Sequence, residues 1–254
     1  MSTPSSNTPQ FIKRFTTFRV LEHGLTAVVF TTLVVTGLAQ KFATVGLAEW
    51  IMRLFGGIDT TRLVHRTAGL VFALSLVLHV LTGLYLVVSR RSPASMVINF
   101  KDFSDAIANM RFYLGIADHP AQCDRFDYKQ KFEYWGCVFG GFVMIATGFI
   151  LWFPTDIFHL LPFLPAEVIP AAKVAHTSEA MLAFLIIITW HIYGCILSPE
   201  VFPLDTSIFT GKISVERMRH EHPLELERLT GEPVPAHHAS PPAAPHGSGG
   251  QPPA

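Results

Sequence analysis

Charged residues are scarce in this sequence, and neither sign prevails. Only 15% of the 254 residues are charged, against about 25% in ordinary soluble domains. The 19 Lys and Arg balance the 19 Asp and Glu, which argues against a nucleic-acid-binding protein, because that class needs a basic surplus. Half of the residues are hydrophobic, and the mean hydropathy is +0.37. This composition argues against a disordered chain and against an ordinary soluble domain.

Cysteine is scarce as well. The three cysteines, Cys123, Cys137 and Cys195, lie far apart and form no CxxC, CxxCH or CxxxCP pattern. This spacing argues against a disulfide framework, a zinc ribbon, an iron–sulfur cluster and covalently attached c-type haem. A membrane protein remains, and its 12 histidines are its main chemical feature.

Four apolar stretches are long enough to cross a bilayer, which takes about 20 residues. They cover about residues 18–39, 63–88, 132–153 and 172–197, and prolines interrupt the chain around them. We therefore predict an all-α, integral membrane four-helix bundle within residues 18–198, after an N-terminal tail, 1–17. Short amphipathic surface helices are predicted at 47–55 and 100–114. A C-terminal segment, 199–230, precedes a Pro/Ala/Gly tail, 231–254, that we expect to be disordered.

Positive charges predict the orientation of this bundle. Fourteen Lys and Arg lie in the N-terminal tail, in the segment 90–131 and in the C-terminal segment, and five lie on the other side. The positive-inside rule then places both termini in the cytoplasm of a multi-pass inner-membrane protein. The second and fourth spans therefore run parallel, from the outer side to the inner side.

Histidines within the spans are the first functional candidates, because ionisable groups are costly inside a membrane. His65 and His79 are 14 residues apart in the second span, and His176 and His191 are 15 apart in the fourth. Both separations are close to four helical turns, so each pair lies near one helix face. Because the two spans are parallel, His65 is level with His176, and His79 with His191. This predicts two stacked bis-histidine sites, a geometry that suits haem.

A fifth histidine, His23, lies near the inner end of the first span. By depth, either His23 or His79 could face His191. Arg66 lies beside His65, where it could pair with haem propionates or act as an ordinary boundary charge. Several glycines in the second and third spans either make room for a porphyrin edge or serve helix packing: Gly69, Gly83, Gly136, Gly140, Gly141 and Gly148.

The other histidines are predicted to be solvated. His119 and His159 fall in predicted loops, and His220 and His222 in the charged stretch RMRHEHPLELER. The tail holds the remaining three: His237, His238 and His246.

The sequence resembles a known family over about residues 14–229. The similar stretches are EHGLTAVVFTTLVVTG, LVHRTAGLVF, DYKQKFEYWG, ATGFILWFP, HTSEAMLAFLIIITWHIYG and FTGKISVERMRHEHP. They resemble the cytochrome b (gamma) subunit of membrane-bound formate dehydrogenase, within the bacterial cytochrome b561 and nickel-hydrogenase cytochrome b superfamily.

This resemblance implies b-type haems with axial ligands from the first, second and fourth spans. The matching residues are His23, His65, His176 and His191, and His79 departs from the family pattern. The resemblance therefore favours His23 as the inner partner, whereas spacing favours His79, and the haem count is two or three. All five histidines are candidate ligands of the haem iron.

The same resemblance implies a quinone site beside the inner haem. In this sequence that site corresponds to His191 with Asp127, Lys129 and Gln130, and Asp127 stands where the family often has an amide. Arg111 and Glu133 are weaker candidates. Quinone reduction consumes protons, so polar groups at the inner surface suit the chemistry.

We thus expect an electron-transfer subunit that connects an extracytoplasmic partner to menaquinone or ubiquinone. The partner would be an iron–sulfur or multihaem cytochrome c subunit that carries the substrate site, since this chain has no substrate chemistry of its own. The alternative is a self-contained b561-type transmembrane reductase of a small soluble acceptor or superoxide. A haem-free transporter would have to use the histidines as a proton relay.

Overall fold

The computed structural model describes residues 10–198 and 201–231, which are mostly helical. The tail beyond residue 231, with its three histidines, lies outside the described residues, as does most of the predicted N-terminal tail. The elements in chain order are β1 (Phe11–Lys13), α1 (Thr17–Lys41), α2 (Gly46–Leu54), α3 (Ile58–Val88), α4 (Phe100–Tyr113), α5 (Tyr128–Trp152), α6 (Pro154–Leu160), α7 (Val168–Ile186), α8 (Ser207–Thr210), β2 (Lys212–Ser214), α9 (Val215–Glu221) and α10 (Pro223–Thr230).

Four helices have the length and apolar character of membrane spans. They are Thr17–Lys41, Ile58–Val88, Tyr128–Trp152 and Val168–Leu197. The all-α membrane fold class predicted from the sequence is therefore confirmed, and helices also occupy both predicted amphipathic segments. Several spans begin up to five residues earlier than predicted. In α3, for example, the first residue, Ile58, is followed by a polar stretch, 59–62, that hydropathy does not register.

The apolar side chains of these spans point outward. No more than 17% of the most apolar part of any span is buried, and side chains such as Leu63 and Leu78 are more than half exposed. A soluble bundle would bury these groups, whereas a membrane protein presents them to lipid tails.

Local sequence explains where several helices begin. The Thr16 hydroxyl caps α1 by accepting the backbone N–H of Arg19. Asn99 and Asp102 form a capping box at the start of α4. Pro154 is the first residue of α6, where a missing N–H has no cost. His159 therefore lies in a helix rather than in the predicted loop.

The fourth span changes its winding near its C-terminal end. After α7, the chain forms two π-helical segments, Ile187–His191 and Tyr193–Leu197. Each is a hydrogen-bonded turn from residue i to i+5, as in the bond from the Ser198 N–H to the Tyr193 carbonyl. A π turn holds one residue more than an α turn would at the same place, so it shifts the register of the residues after it.

A short antiparallel pair of strands joins the N-terminal segment to the chain after α8. Phe11 pairs with Ser214 and Lys13 with Lys212. Gly211 precedes β2 with a φ of +70°, and an added Cβ there would lie 2.7 Å from the Phe15 carbonyl oxygen. Only glycine suits this position, since both the backbone conformation and the close approach exclude a side chain.

The described residues divide into two compact units. The first contains all four spans and covers residues 10–98 and 129–215. The second covers residues 99–128 and 216–231, and includes α4 and α10. Within the second unit His222 is only 4% exposed, and its Nδ1 lies 2.8 Å from the Asp124 carbonyl oxygen. The prediction that His222 is solvated is thus wrong, because a hydrogen bond to a distant segment satisfies the ring inside this unit.

Candidate haem sites

Two histidines face each other between the second and fourth spans. His65 lies on α3 and His176 on α7, and their ring centres are 6.4 Å apart at an interplanar angle of 72°. The two helices thus bring together the pair that their matched depths predicted. We call this pair the outer pair.

A threonine hydroxyl orients each ring of the outer pair. Thr36 Oγ1 lies 2.6 Å from the Thr32 carbonyl oxygen and 2.9 Å from His65 Nδ1. Because the hydroxyl donates its hydrogen to that carbonyl, it accepts a hydrogen bond from the protonated Nδ1 of the ring. The neutral imidazole then carries its lone pair on Nε2, the nitrogen that remains available to a metal ion.

The second ring of the outer pair has the same surroundings. Thr147 Oγ1 lies 2.6 Å from the Val143 carbonyl oxygen and 2.9 Å from His176 Nδ1. Both threonines are buried. The two rings are therefore held in the same tautomer by equivalent bonds on two different helices.

Glycines next to these threonines let the rings approach the helices. A Cβ at Gly37 would lie 3.2 Å from His65 Cε1, and one at Gly148 would lie 3.4 Å from His176 Cε1. Of the two, only Gly148 was among the glycines singled out in the sequence. Among the described residues outside their own helix backbone, no atom lies within 4 Å of a Cβ added at Gly83 or Gly136, so these two glycines do not shape a histidine contact.

A second facing pair lies nearer the other end of the spans. His23 on α1 and His191 at the end of the first π-helical segment have ring centres 6.0 Å apart, at an interplanar angle of 35°. Glu133 Oε1 lies 2.5 Å from His191 Nδ1, so a carboxylate orients this ring. We call this pair the inner pair.

His79 does not face His191. Its Nε2 lies 3.1 Å from the Tyr134 hydroxyl, and its Nδ1 lies 3.0 Å from Glu22 Oε1. Arg19 forms an ion pair with the same Glu22 at 2.6 Å. The structure therefore places His23 opposite His191 and places His79 in a separate polar cluster.

Both pairs have the spacing that one metal ion between two imidazoles requires. A metal–imidazole bond is about 2 Å long and each nitrogen lies about 1.2 Å from its ring centre, so the ring centres should be about 6.4 Å apart. The observed 6.4 and 6.0 Å agree with this value. Hydrogen-bond partners at Nδ1 hold three of the four rings in place, as metal-binding imidazoles require: those of His65, His176 and His191. The donor set therefore fits b-type haem with two axial histidines.

The other predicted site residues lie near the ends of these helices. The Arg66 guanidinium lies 5.6 Å from the centre of the Trp152 ring. Lys129 and Gln130 are in the first turn of α5, four and three residues before Glu133, and thus on the same side of that helix. Asp127 directly precedes α5 and belongs to the second unit.

Sequence reasoning missed the residues that hold the rings. Thr36 and Thr147 were not considered, and Glu133 was considered only as a weak candidate. One signal could have found them. The dipeptide Thr-Gly occurs at 36–37 and again at 147–148, and each threonine is 29 residues before a span histidine.

Comparison with known proteins shows the family to which this chain belongs. The family profile of prokaryotic cytochrome b561 matches residues 14–210. The cytochrome b556(fdo) subunit of formate dehydrogenase from Escherichia coli strain K12 is 25% identical over 212 residues, which cover 84% of this chain and 90% of that protein. Subunits of the same name from Escherichia coli O6:H1 and O157:H7 match with the same identity and coverage. With its four apolar spans and its facing histidines, the chain belongs to the prokaryotic cytochrome b561 family.

Proposed function

We propose that this membrane cytochrome is the membrane-anchor cytochrome b subunit of a respiratory oxidoreductase complex. It would transfer electrons between an extracytoplasmic redox subunit and the quinone pool. One observation carries the proposal: two facing histidine pairs lie at two depths of the same bundle, and both fit haem.

The ligands in this proposal are His65 with His176 and His23 with His191. Bound b-type haem supplies reversible one-electron exchange at its iron. The chain would supply the nitrogens that hold the iron, and it keeps three of their rings in place through Thr36, Thr147 and Glu133. His176 and His191 are 15 residues apart, so the two pairs are separated by about 22 Å along the helix axis. Two sites at this separation would connect the two membrane surfaces.

The quinone site in this proposal lies beside the inner pair. The supporting feature is the polar start of α5, where Lys129 and Gln130 lie one turn before Glu133. Glu133 contacts His191 directly, so this helix connects the inner pair to groups that can hydrogen-bond a quinone carbonyl. Such groups at the cytoplasmic surface would also deliver the protons that quinone reduction consumes.

The substrate site would lie on another subunit. The E. coli relatives are named as subunits of formate dehydrogenase, which supports a place for this chain in a complex. The partner would be an iron–sulfur or multihaem cytochrome c protein that docks on the extracytoplasmic surface, near residues 41–62 and 155–173.

Haem stoichiometry tests the ligand assignment. A pyridine haemochrome assay on the purified chain should give two b haems. His23→Ala and His65→Ala should each lower the count to one. His79→Ala is the matched control, since it removes another membrane histidine, and it should leave two. Loss of a haem in His79→Ala with two retained in His23→Ala would reverse the assignment, and folded protein without haem would refute the proposal.

Reoxidation of the reduced cytochrome by a naphthoquinone tests the quinone site. Gln130→Ala should slow this reoxidation by about tenfold or more, the effect expected for loss of one hydrogen bond to the acceptor. Gln40→Ala is the matched control, because Gln40 lies near the opposite end of the first span. Equal rates in the two variants would place the quinone elsewhere. Full activity of the lone chain with a soluble acceptor, and none with quinone, would favour the self-contained reductase.

A further inference from the structure

The two halves of the bundle carry the same residues 111 positions apart. Helices α1 and α5 are both 25 residues long, and α5 begins 111 residues after α1. Within them, Glu22 corresponds to Glu133, and the Thr-Gly dipeptide at 36–37 corresponds to that at 147–148. On the following spans, His65 corresponds to His176 at the same offset.

The contacts of these residues repeat as well. Thr36 and His65 are 29 residues apart and form a 2.9 Å contact, and Thr147 and His176 have the same separation and distance. The two hydroxyls also contact the carbonyl four residues earlier at the same 2.6 Å. Shared sequence, spacing and hydrogen bonds indicate two copies of one helix hairpin.

The glutamate–histidine contact at the inner end repeats in both halves, with one residue more in the second half. Glu22 contacts His79 Nδ1 across 57 residues, and Glu133 contacts His191 Nδ1 across 58. The additional residue in the second half falls where Ile187–His191 is π-helical. Because a π turn accommodates one extra residue, His191 is the counterpart of His79 despite the difference in spacing.

This correspondence places the outer pair on an approximate two-fold axis. His65 and His176 are counterparts and face each other, as residues do where a symmetric unit contacts its own copy. The inner end therefore has two equivalent positions. At one, His23 faces His191 with ring centres 6.0 Å apart. At the other, the counterpart of His23 is Tyr134, and it faces His79 at 5.7 Å.

We propose that Tyr134 closes the second of these two equivalent inner haem positions and so limits the chain to two haems. This inference rests on the haem sites of the proposed function. The Tyr134 hydroxyl lies 3.1 Å from His79 Nε2 and so occupies the nitrogen that would have to bind iron. Glu22 Oε1 and Arg19 Nη1 each lie 3.0 Å from Nδ1, and Arg19 also pairs with the Glu22 carboxylate. Every polar group of the cluster then has a partner, which a half-buried site within a membrane requires.

An exchange of the two residues tests this assignment. His23→Tyr should lower the haem count from two to one by removing the inner ligand. The double variant His23→Tyr/Tyr134→His should restore it to two, because His79 would then face a histidine. The matched control is His23→Tyr/Phe132→His, which places a histidine on the same helix at a residue that is 69% exposed, and it should stay at one haem.

None of these variants alters the outer pair, so a bound outer haem shows that the variant is folded. A change in the haem count then reflects the inner position alone. A count of one in the exchanged variant, with the outer haem intact, would overturn the proposal. So would three haems in the unaltered chain that fall to two in Tyr134→Phe, since Tyr134 would then be a ligand. An unaltered, folded chain without haem would instead refute the proposed function, and the two failures are therefore distinguishable.

Discussion

At the scale of single residues, the hydrogen-bond partner of Nδ1 determines which nitrogen of each histidine in the outer pair is available to a metal ion. Thr36 and Thr147 each donate to a carbonyl of their own helix, and so can only accept from the ring. A threonine hydroxyl in a membrane helix commonly bonds back to its own helix. Here that ordinary bond makes the hydroxyl a fixed acceptor, and it sets the tautomer of a ring on the next span.

We therefore expect Thr36→Val to alter the outer haem and to leave the inner one unchanged. Loss of the Nδ1 acceptor makes His65 a less basic ligand, so the midpoint potential of the outer haem should rise and its retention should weaken by about 10–100-fold. Potentiometric titration with visible absorbance measures both effects.

Thr31→Val is the matched control for this change. Thr31 is on the same helix, and its hydroxyl bonds only to the Ala27 carbonyl among the contacts that the structure describes. This control should leave both potentials unchanged. An outer haem with the same potential in Thr36→Val and in the unaltered chain would contradict the role given to this hydroxyl.

At the scale of elements, the π-helical turn Ile187–His191 reconciles two different spacings. The histidines of the second span are 14 residues apart and those of the fourth are 15 apart, yet His79 and His191 contact equivalent glutamates. An α-helix would turn His191 by about 100° for one additional residue. The π turn accommodates the additional residue, so the His191 ring points in the direction that corresponds to that of His79.

Deletion of Ile188 should therefore leave both haems bound. The deletion changes the spacing from 15 to 14, which an uninterrupted α-helix accommodates in the second span. Deletion of both Ile187 and Ile188 leaves 13 and should rotate His191 away, so that one haem is lost. Haem counts on both variants test this expectation, and loss of the inner haem in the single deletion would contradict it.

The second unit depends on a different interaction, between Asp124 and α10. Arg228 contacts both carboxylate oxygens of Asp124, at 2.8 and 2.9 Å. Partial burial opposes ionisation of this carboxyl, but the hydrogen bonds from Arg228 and from the Arg125 backbone outweigh it and hold the pKa of Asp124 below its ordinary value. The ionised form thus stabilises the folded unit.

This shift predicts how the second unit responds to acid. A carboxyl with a lowered pKa contributes its full stability above the unfolded value of about 3.9, and loses it as the pH falls through the lower folded value. Asp124→Asn should speed amide exchange in α10 at pH 7 and remove this acid dependence below about pH 4. Asp118→Asn, an exposed acid of the same unit, is the control and should change neither. If the α10 amides are equally protected from exchange in the two variants at pH 7, the Arg228 contact contributes nothing to the stability of the second unit.

At the scale of the whole molecule, the distribution of charge predicts the orientation of the membrane protein. Fourteen of 19 Lys and Arg lie on the side that holds both termini, which the positive-inside rule assigns to the cytoplasm. Alkaline phosphatase fused after residue 231 should be inactive, and the same enzyme inserted after Leu161 should be active. The opposite pattern would reverse the orientation, and would move the proposed quinone site to the outer surface.

Much of the architecture was predictable at this scale because a bilayer imposes a fixed length on each span. The four spans, the two short helices and the level placement of His65 with His176 can be read from hydropathy and helical rise. His222 was not predictable in the same way. Its partner is the Asp124 carbonyl, 98 residues away in sequence, and a charged local sequence contains no sign of that contact.

The sequence did not determine which histidine faces His191. Depth along the membrane is a single coordinate, which residue count determines well, and by that coordinate His23 and His79 were equivalent. Which of them faces His191 depends on which helices are neighbours and on how each is rotated about its axis. The sequence by itself thus determined a four-span membrane cytochrome with histidines at two depths. The packing of the spans, the π turn and the buried hydroxyl and carboxylate partners decided which rings meet, because those are lateral and rotational relations that only the folded bundle contains.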